Sequence, residues 1–105
     1  MRILLDECVP VDFRHDLAPF GTVETAKYAG LDHNSNGVLL AAMAGRFDVL
    51  VTVDTSLKHQ QSIAGRSVAV VVVRVPTNAL VDLRPRVPDS ARALATIQPG
   101  AIVEV

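Results

Sequence analysis

The sequence predicts an α/β fold: a three-layer α/β/α sandwich on a mainly parallel five-stranded sheet, in one domain spanning residues 1–105. Short β-branched runs alternate with segments of helical spacing, which is typical of parallel strands joined by crossover helices. Two runs, 48–53 and 67–75, are apolar at nearly every position, as expected for strands covered on both faces. A length of 105 residues leaves room for a single hydrophobic core.

Five strands are predicted, and their composition suggests their order. The segments 3–5, 48–53 and 67–75 are apolar on both faces, so we place them in the centre of the sheet. The segments 22–25 and 101–105 carry Glu24 and Glu104, which indicates edge strands. The simplest arrangement with right-handed crossovers is 2-1-3-4-5, with the direction of the fifth strand left open.

Helices are predicted between these strands. Pro10 suits the first turn of a helix in which Val9, Phe13 and Leu17 share one face, and Pro19 and Gly21 end that helix. Asn36 is a plausible N-cap for a second helix that runs to Phe47. A further helix is predicted over 55–64, and two short helices over 78–83 and 90–97 are separated by Pro85 and Pro88.

Composition excludes several classes of protein. Half of the residues are hydrophobic and the formal net charge is −1, which excludes a disordered tail and a strongly basic nucleic-acid arm. Neither a signal peptide nor an apolar stretch long enough to cross a membrane is present, so we expect a cytoplasmic protein with no membrane partner. The only cysteine, Cys8, fits a reducing compartment and a role as a small hydrophobic side chain.

Two aspartates follow strands that we expect to be neighbours. Asp6 ends the first strand and Asp54 follows the third, and these strands flank the point where the chain changes direction along the sheet. Two carboxylates in one crevice repel each other unless one is protonated or a cation lies between them, and oxygen ligands favour Mg²⁺ or Mn²⁺. Glu7 supplies a third oxygen if the strand has already ended. The alternative is that each aspartate caps a helix and that Glu7 is solvated.

Other candidates support this pair. Thr52 either satisfies its hydroxyl locally or orients Asp6, and Asn36 is a helix cap or a contact to a metal-bound water. Lys58 and His59 fall one turn after Asp54 and are candidate phosphate contacts, or part of a solvated face.

Four motifs follow one another along the chain: Leu4-Leu5-Asp6-Glu7 with Pro10, Asn36-Gly37-x-Leu39-Leu40, Phe47-Asp48-Val49-Leu50-Val51-Thr52-x-Asp54, and Leu57 with Gln60-Gln61. In this order they resemble the small bacterial PIN-like domains of the PIN nuclease superfamily, which includes toxins of toxin–antitoxin pairs. The resemblance implies the α/β/α fold and an acidic, Mg²⁺- or Mn²⁺-dependent ribonuclease site. In it, Asp6 and Asp54 match acidic positions and Thr52 matches a positioning threonine. Two positions where relatives often carry an acid hold Val38 and Ser56 here.

Two functions are therefore expected. The first is a metal-dependent endoribonuclease with Asp6, Asp54 and Glu7 as catalytic residues and Asp6 and Asp54 as ligands of a single Mg²⁺ or Mn²⁺ ion. It would act as the toxin-like component of a toxin–antitoxin pair, with RNA as substrate and a small antitoxin as partner. The second is a catalytically impaired PIN-like module that binds RNA or protein. A homodimer is expected in either case, because edge strands and apolar helix faces need cover in a small domain.

Overall fold

A parallel sheet organises the residues that the computed structural model describes, 1–57 and 62–105. It has five strands in the order β2-β1-β3-β4-β5. All four neighbouring pairs are parallel, so the predicted order is confirmed and β5 also runs parallel. The strands are β1 (Arg2–Leu5), β2 (Thr22–Thr25), β3 (Val49–Thr52), β4 (Ala69–Val72) and β5 (Ile102–Glu104).

The three central strands are buried on both faces, as predicted. Ile3, Leu5 and Val51 belong to one apolar cluster, whereas Leu4 and Leu50 belong to the cluster on the opposite face. This alternation follows from the two-residue period of a strand. The edge strands β2 and β5 are only partly buried, which confirms the interpretation of Glu24 and Glu104.

Helices cover both faces of the sheet and complete three layers. They are α1 (Phe13–Leu17), which continues as a 3₁₀ turn over Ala18–Phe20, α2 (Asn36–Met43), α3 (Leu80–Leu83), which continues as a 3₁₀ turn over Arg84–Arg86, and α4 (Val87–Thr96). The buried side chains of α1 and α4 pack in the cluster of Leu5, whereas those of α2 pack in the cluster of Leu4. The helix predicted over 55–64 falls partly on 58–61, which lie outside the described residues.

The ends of four helices differ from the prediction. The helix α3 begins at Leu80 rather than Asn78, and α4 covers Val87–Thr96 rather than 90–97, because Pro88 is accommodated in its first turn. Val9, Phe13 and Leu17 are all buried, but α1 begins only at Phe13, because the residues after Pro10 form successive turns. The second helix, α2, ends at Met43 rather than Phe47, since Gly45 takes up a left-handed conformation at φ 77° and turns the chain towards β3.

The N-cap predicted for α2 is wrong. Ser35, not Asn36, has the extended cap conformation, and its hydroxyl accepts from the Val38 amide at 3.5 Å. Asn36 is the first residue of the helix, and its side chain points to Asp54 instead. Ser and Asn are similarly good caps, so composition alone does not choose between adjacent positions.

No helix of the described residues is long and apolar enough to cross a bilayer.

Ser90 of α4 gives a stability prediction. Its Oγ is fully buried and has no hydrogen-bond partner in the part of the chain that the structure describes. We expect Ser90→Ala to raise the free energy of unfolding by about 1 kcal/mol, because the variant no longer buries an unsatisfied hydroxyl and alanine favours a helix. Urea denaturation measures this change. A loss of stability would mean that the hydroxyl has a partner in solution.

Candidate functional site

Asp6 and Asp54 lie at the carboxyl edge of the sheet, on either side of one hydroxyl group. Asp6 directly follows β1, and Asp54 lies two residues beyond Thr52, the last residue of the neighbouring β3. Thr52 is fully buried. Its Oγ1 donates to Asp6 Oδ2 at 2.7 Å and accepts from the Asp54 amide at 3.1 Å. Thr52 was expected either to satisfy its hydroxyl locally or to orient Asp6, and the bond to Asp6 confirms the second alternative.

Asp6 is a buried carboxylate held by hydrogen bonds. It is 8 % exposed, and its amide donates to Val51 O at 3.0 Å, which extends the β1–β3 ladder by one residue. Besides Thr52, the Glu7 amide donates to Oδ1 at 2.9 Å and the Cys8 thiol approaches Oδ2 at 3.6 Å. Asp6 does not cap α1, because the N-cap position of that helix is Asp12.

Asp54 is partly buried and is held by a different set of donors. Ser56 donates to Oδ1 through its hydroxyl at 2.6 Å and its amide at 3.0 Å, and Asn36 Nδ2 donates to Oδ2 at 3.3 Å. The Ser56 hydroxyl in particular holds the pKa of Asp54 below its ordinary value, with further lowering by the Ser56 amide and Asn36 and partial opposition from burial. The bond from the Ser56 amide is the local turn that an aspartate often makes with the backbone two residues ahead. The helix that Asp54 was expected to cap falls partly on 58–61, outside the described residues, so its capping role remains a prediction.

Glu7 lies on the outer side of Asp6, towards β2. The strand β1 ends at Leu5, and Glu7 lines the same cleft as Asp6. The condition under which Glu7 was expected to supply a third oxygen, a strand that has already ended, is therefore met. Glu7 Oε2 accepts from the His33 amide at 3.3 Å and lies 3.8 Å from His33 Nδ1. Asp54 does not line this cleft.

Cys8 and Ser56 are the contacts that sequence reasoning missed. The Cys8 sulfur lies 3.6 Å from both Asp6 Oδ2 and Thr52 Oγ1, and burial raises the pKa of the thiol. No pattern in the sequence pointed to Cys8. Its contact follows from the turn after Asp6, in which the Val9 amide bonds back to Asp6 O at 3.0 Å. At position 56, a serine replaces the acid that PIN-like domains often carry there. A hydroxyl two residues after an aspartate is well placed to donate a hydrogen bond to its carboxylate.

The candidate phosphate contacts Lys58 and His59 lie outside the described residues, as do Gln60 and Gln61. Their role remains a prediction.

The donor set fits one divalent ion better than two. A carboxylate offers about four lone-pair positions. Asp6 and Asp54 each receive three hydrogen bonds, counting the weak bond from Cys8, so each retains about one position for a further ligand. Within residues 1–57 and 62–105, no group of three or more His, Cys, Asp or Glu side chains is arranged to hold a metal. Mg²⁺ often takes only one or two carboxylates and completes its shell with water and phosphate.

Comparison with known proteins identifies no relative. The chain matches no protein-family model, no curated protein and no solved structure. The fold and site therefore rest on the residues themselves, and the PIN-like resemblance remains a prediction.

The Thr52 hydroxyl can be tested by matched substitutions. Thr52→Val keeps the branched shape but leaves the Asp54 amide without its acceptor and Asp6 without its closest donor. We expect the free energy of unfolding to fall by about 1–3 kcal/mol. Thr52→Ser retains the hydroxyl and should lose less, and equal losses in urea denaturation would contradict the role of the hydrogen bonds.

The Ser56 hydroxyl gives a pH-dependent prediction. Because its bond lowers the pKa of Asp54 in the folded state, its stabilising contribution is present above the unfolded pKa of about 4 and is lost as pH falls through the folded pKa. Ser56→Ala should raise the pKa of Asp54, as followed by carboxyl ¹³C NMR. It should also be less stable than the parent at neutral pH, and the difference should shrink as pH falls below about 4. An unchanged Asp54 titration would contradict this assignment.

Proposed function

We propose that this protein is a metal-dependent endoribonuclease whose catalytic centre is formed by Asp6 and Asp54. The observation that carries the proposal is the shared Thr52 hydroxyl, which bonds to the Asp6 carboxylate and to the Asp54 backbone. Asp6 and Thr52 are 46 residues apart in the sequence, yet they meet where β1 and β3 end. Acidic groups from both strand ends therefore lie at one edge of the sheet. Ligand sites of open α/β sheets lie at this edge, where the strand order reverses.

The absence of basic partners supports a cation between these groups. Among the described residues, the ion pairs involve other acids, such as Asp48, Asp16 and Asp89, and none includes Asp6 or Asp54. Both carboxylates are instead held by neutral donors, which fix their positions without cancelling their charge. A divalent ion is the group that such a pair attracts most strongly.

Each residue has a defined part in the proposed site. Asp6 and Asp54 hold the ion, Thr52 and Asn36 position these carboxylates, and Glu7 accepts a proton or orients a water in the adjoining cleft. When bound, Mg²⁺ or Mn²⁺ polarises the phosphodiester and lowers the pKa of a coordinated water, which permits in-line hydrolysis. Lys58 and His59 are proposed to contact the RNA backbone.

A catalytically impaired binding module is the second candidate. Its support is Ser56, at a position where PIN-like domains often carry an acid. The Ser56 hydroxyl donates a hydrogen bond to Asp54 Oδ1 at 2.6 Å and so takes up one of its lone pairs. Val38, at the other such position, is exposed and apolar. Both features reduce the number of oxygens open to a metal while leaving the fold unchanged.

The partners are proposed on the same basis. A small antitoxin and a second copy of the chain would cover the edges β2 and β5 and the exposed apolar side chains Tyr28 and Val81. The cytoplasm is the proposed location.

Matched substitutions test the nuclease. We expect the parent to cleave single-stranded RNA with Mn²⁺ but not with a chelator, and Asp6→Asn and Asp54→Asn to reduce cleavage to background, because each removes a ligand charge. Asp12→Asn makes the same charge change at an exposed position with no capping bond and should cleave normally. A fluorogenic RNA measures the rates, and circular dichroism confirms folding. Wild-type cleavage by Asp54→Asn would reject the catalytic assignment, and RNA binding without cleavage by the parent would favour the binding module.

A further inference from the structure

A cleft of about 450 Å³ opens beside Asp6, at the carboxyl ends of β1 and β2. Its size falls in the range of roughly 300–1,000 Å³ that is usual for small-molecule sites. Its lining combines three consecutive apolar residues with carboxylates and a lysine on its rim. A mainly apolar lining with a few polar groups is typical of ligand pockets.

The apolar wall consists of Val9, Pro10 and Val11. Val9 is buried, whereas Val11 is 57 % exposed at the mouth of the cleft. A planar ligand lying on this wall would remove apolar surface from water, which is favourable in proportion to the area covered. The bases of single-stranded RNA are planar, unstacked and able to enter such a cleft.

The polar rim supplies hydrogen-bond acceptors. His33 holds one oxygen of each rim carboxylate, with Nε2 3.3 Å from Asp32 Oδ2 and the backbone amide 3.3 Å from Glu7 Oε2. In the described part of the chain, neither Asp32 Oδ1 nor Glu7 Oε1 accepts a hydrogen bond or forms an ion pair. Two acceptor oxygens therefore remain on the rim, and Asp32 keeps 23 % of its side chain exposed.

These acceptors discriminate between bases. Cytosine, adenine and guanine carry an exocyclic amino group, and carboxylates accept hydrogen bonds from the N4 amino group of cytosine. Uracil has a carbonyl oxygen at the corresponding position, which a carboxylate repels. A rim of carboxylates thus favours the amino-bearing bases.

From these contacts we infer that the cleft is a nucleobase pocket that prefers an amino-bearing base, with Asp32 as the residue that determines specificity. The base belongs to the nucleotide next to the attacked phosphate, since Asp6 lines the same cleft; this part of the inference rests on the proposed ribonuclease function. The substrate is then single-stranded RNA with a base preference at the cleavage site.

The test uses neutral nucleosides, so that no phosphate contact contributes. The Asp54→Asn protein, whose changed residue does not line the cleft, is titrated with cytidine and with uridine in metal-free buffer. Methyl NMR signals of Val9 and Val11 report binding. We expect both signals to shift, with cytidine bound about tenfold more tightly than uridine.

Asp32→Asn should abolish this preference, whereas Asp12→Asn, an equal charge change outside the cleft, should retain it. If Asp32→Asn does not fold, Val11→Ser replaces it and should weaken the binding of both nucleosides. Equal affinities in the Asp54→Asn protein, no shift at millimolar nucleoside, or an unchanged preference after Asp32→Asn is added would overturn the inference. Failure of RNA cleavage with an intact cytidine preference would overturn the ribonuclease proposal alone.

Discussion

The parallel pairing of β1 with β3 is the constraint on which the candidate site depends. Leu5 is in register with Val51, so the two strands end at nearly the same height. The residues that follow, Asp6 and Thr52, are then close enough for a hydrogen bond of 2.7 Å. Both strands are buried on both faces, so a slip of one residue would force every side chain into the packing of the opposite face. Core packing thus sets the position of the acidic groups.

The pKa of Asp54 shifts in the opposite direction to the one expected for two neighbouring carboxylates. Two neighbouring carboxylates are expected to repel each other, which raises a pKa. The pKa of Asp54 is nevertheless lowered, chiefly by the Ser56 hydroxyl. Hydrogen bonds from neutral donors therefore outweigh the effect of burial on the pKa of this residue. The case for a metal rests instead on the lone pairs that remain and on the lack of basic partners among the described residues.

Much of the fold could be predicted because it follows from hydrophobic pattern. The run 67–75 could only be a central strand, and the acidic residues in 22–25 and 101–105 indicated the edges, so the order of the sheet followed. The direction of β5 could not be predicted, since a short edge strand pairs in either sense. The end of α2 was also missed, because the turn at Gly45 overrides an apolar pattern that continues to Phe47.

The site could be predicted only at the level of strand ends. Asp6, Thr52 and Asp54 follow from topology, whereas the contacts of Ser56, Asn36 and Cys8 depend on loop conformations that composition does not specify. Ser35 and Asn36 show the limit clearly. Either residue can cap a helix. The side chain of Asn36 instead donates a hydrogen bond to the carboxylate of Asp54, 18 residues away, and Ser35 takes the cap position.

A titration with Mn²⁺ monitored by NMR tests the central claim most directly, because the ion broadens the signals of nearby nuclei. Binding between the two carboxylates predicts selective broadening of the Glu7, Thr52 and Asp54 amide signals, and loss of that broadening in Asp54→Asn. Broadening centred on another acidic surface, or equal broadening in the parent and Asp54→Asn, would contradict a metal site at this edge of the sheet.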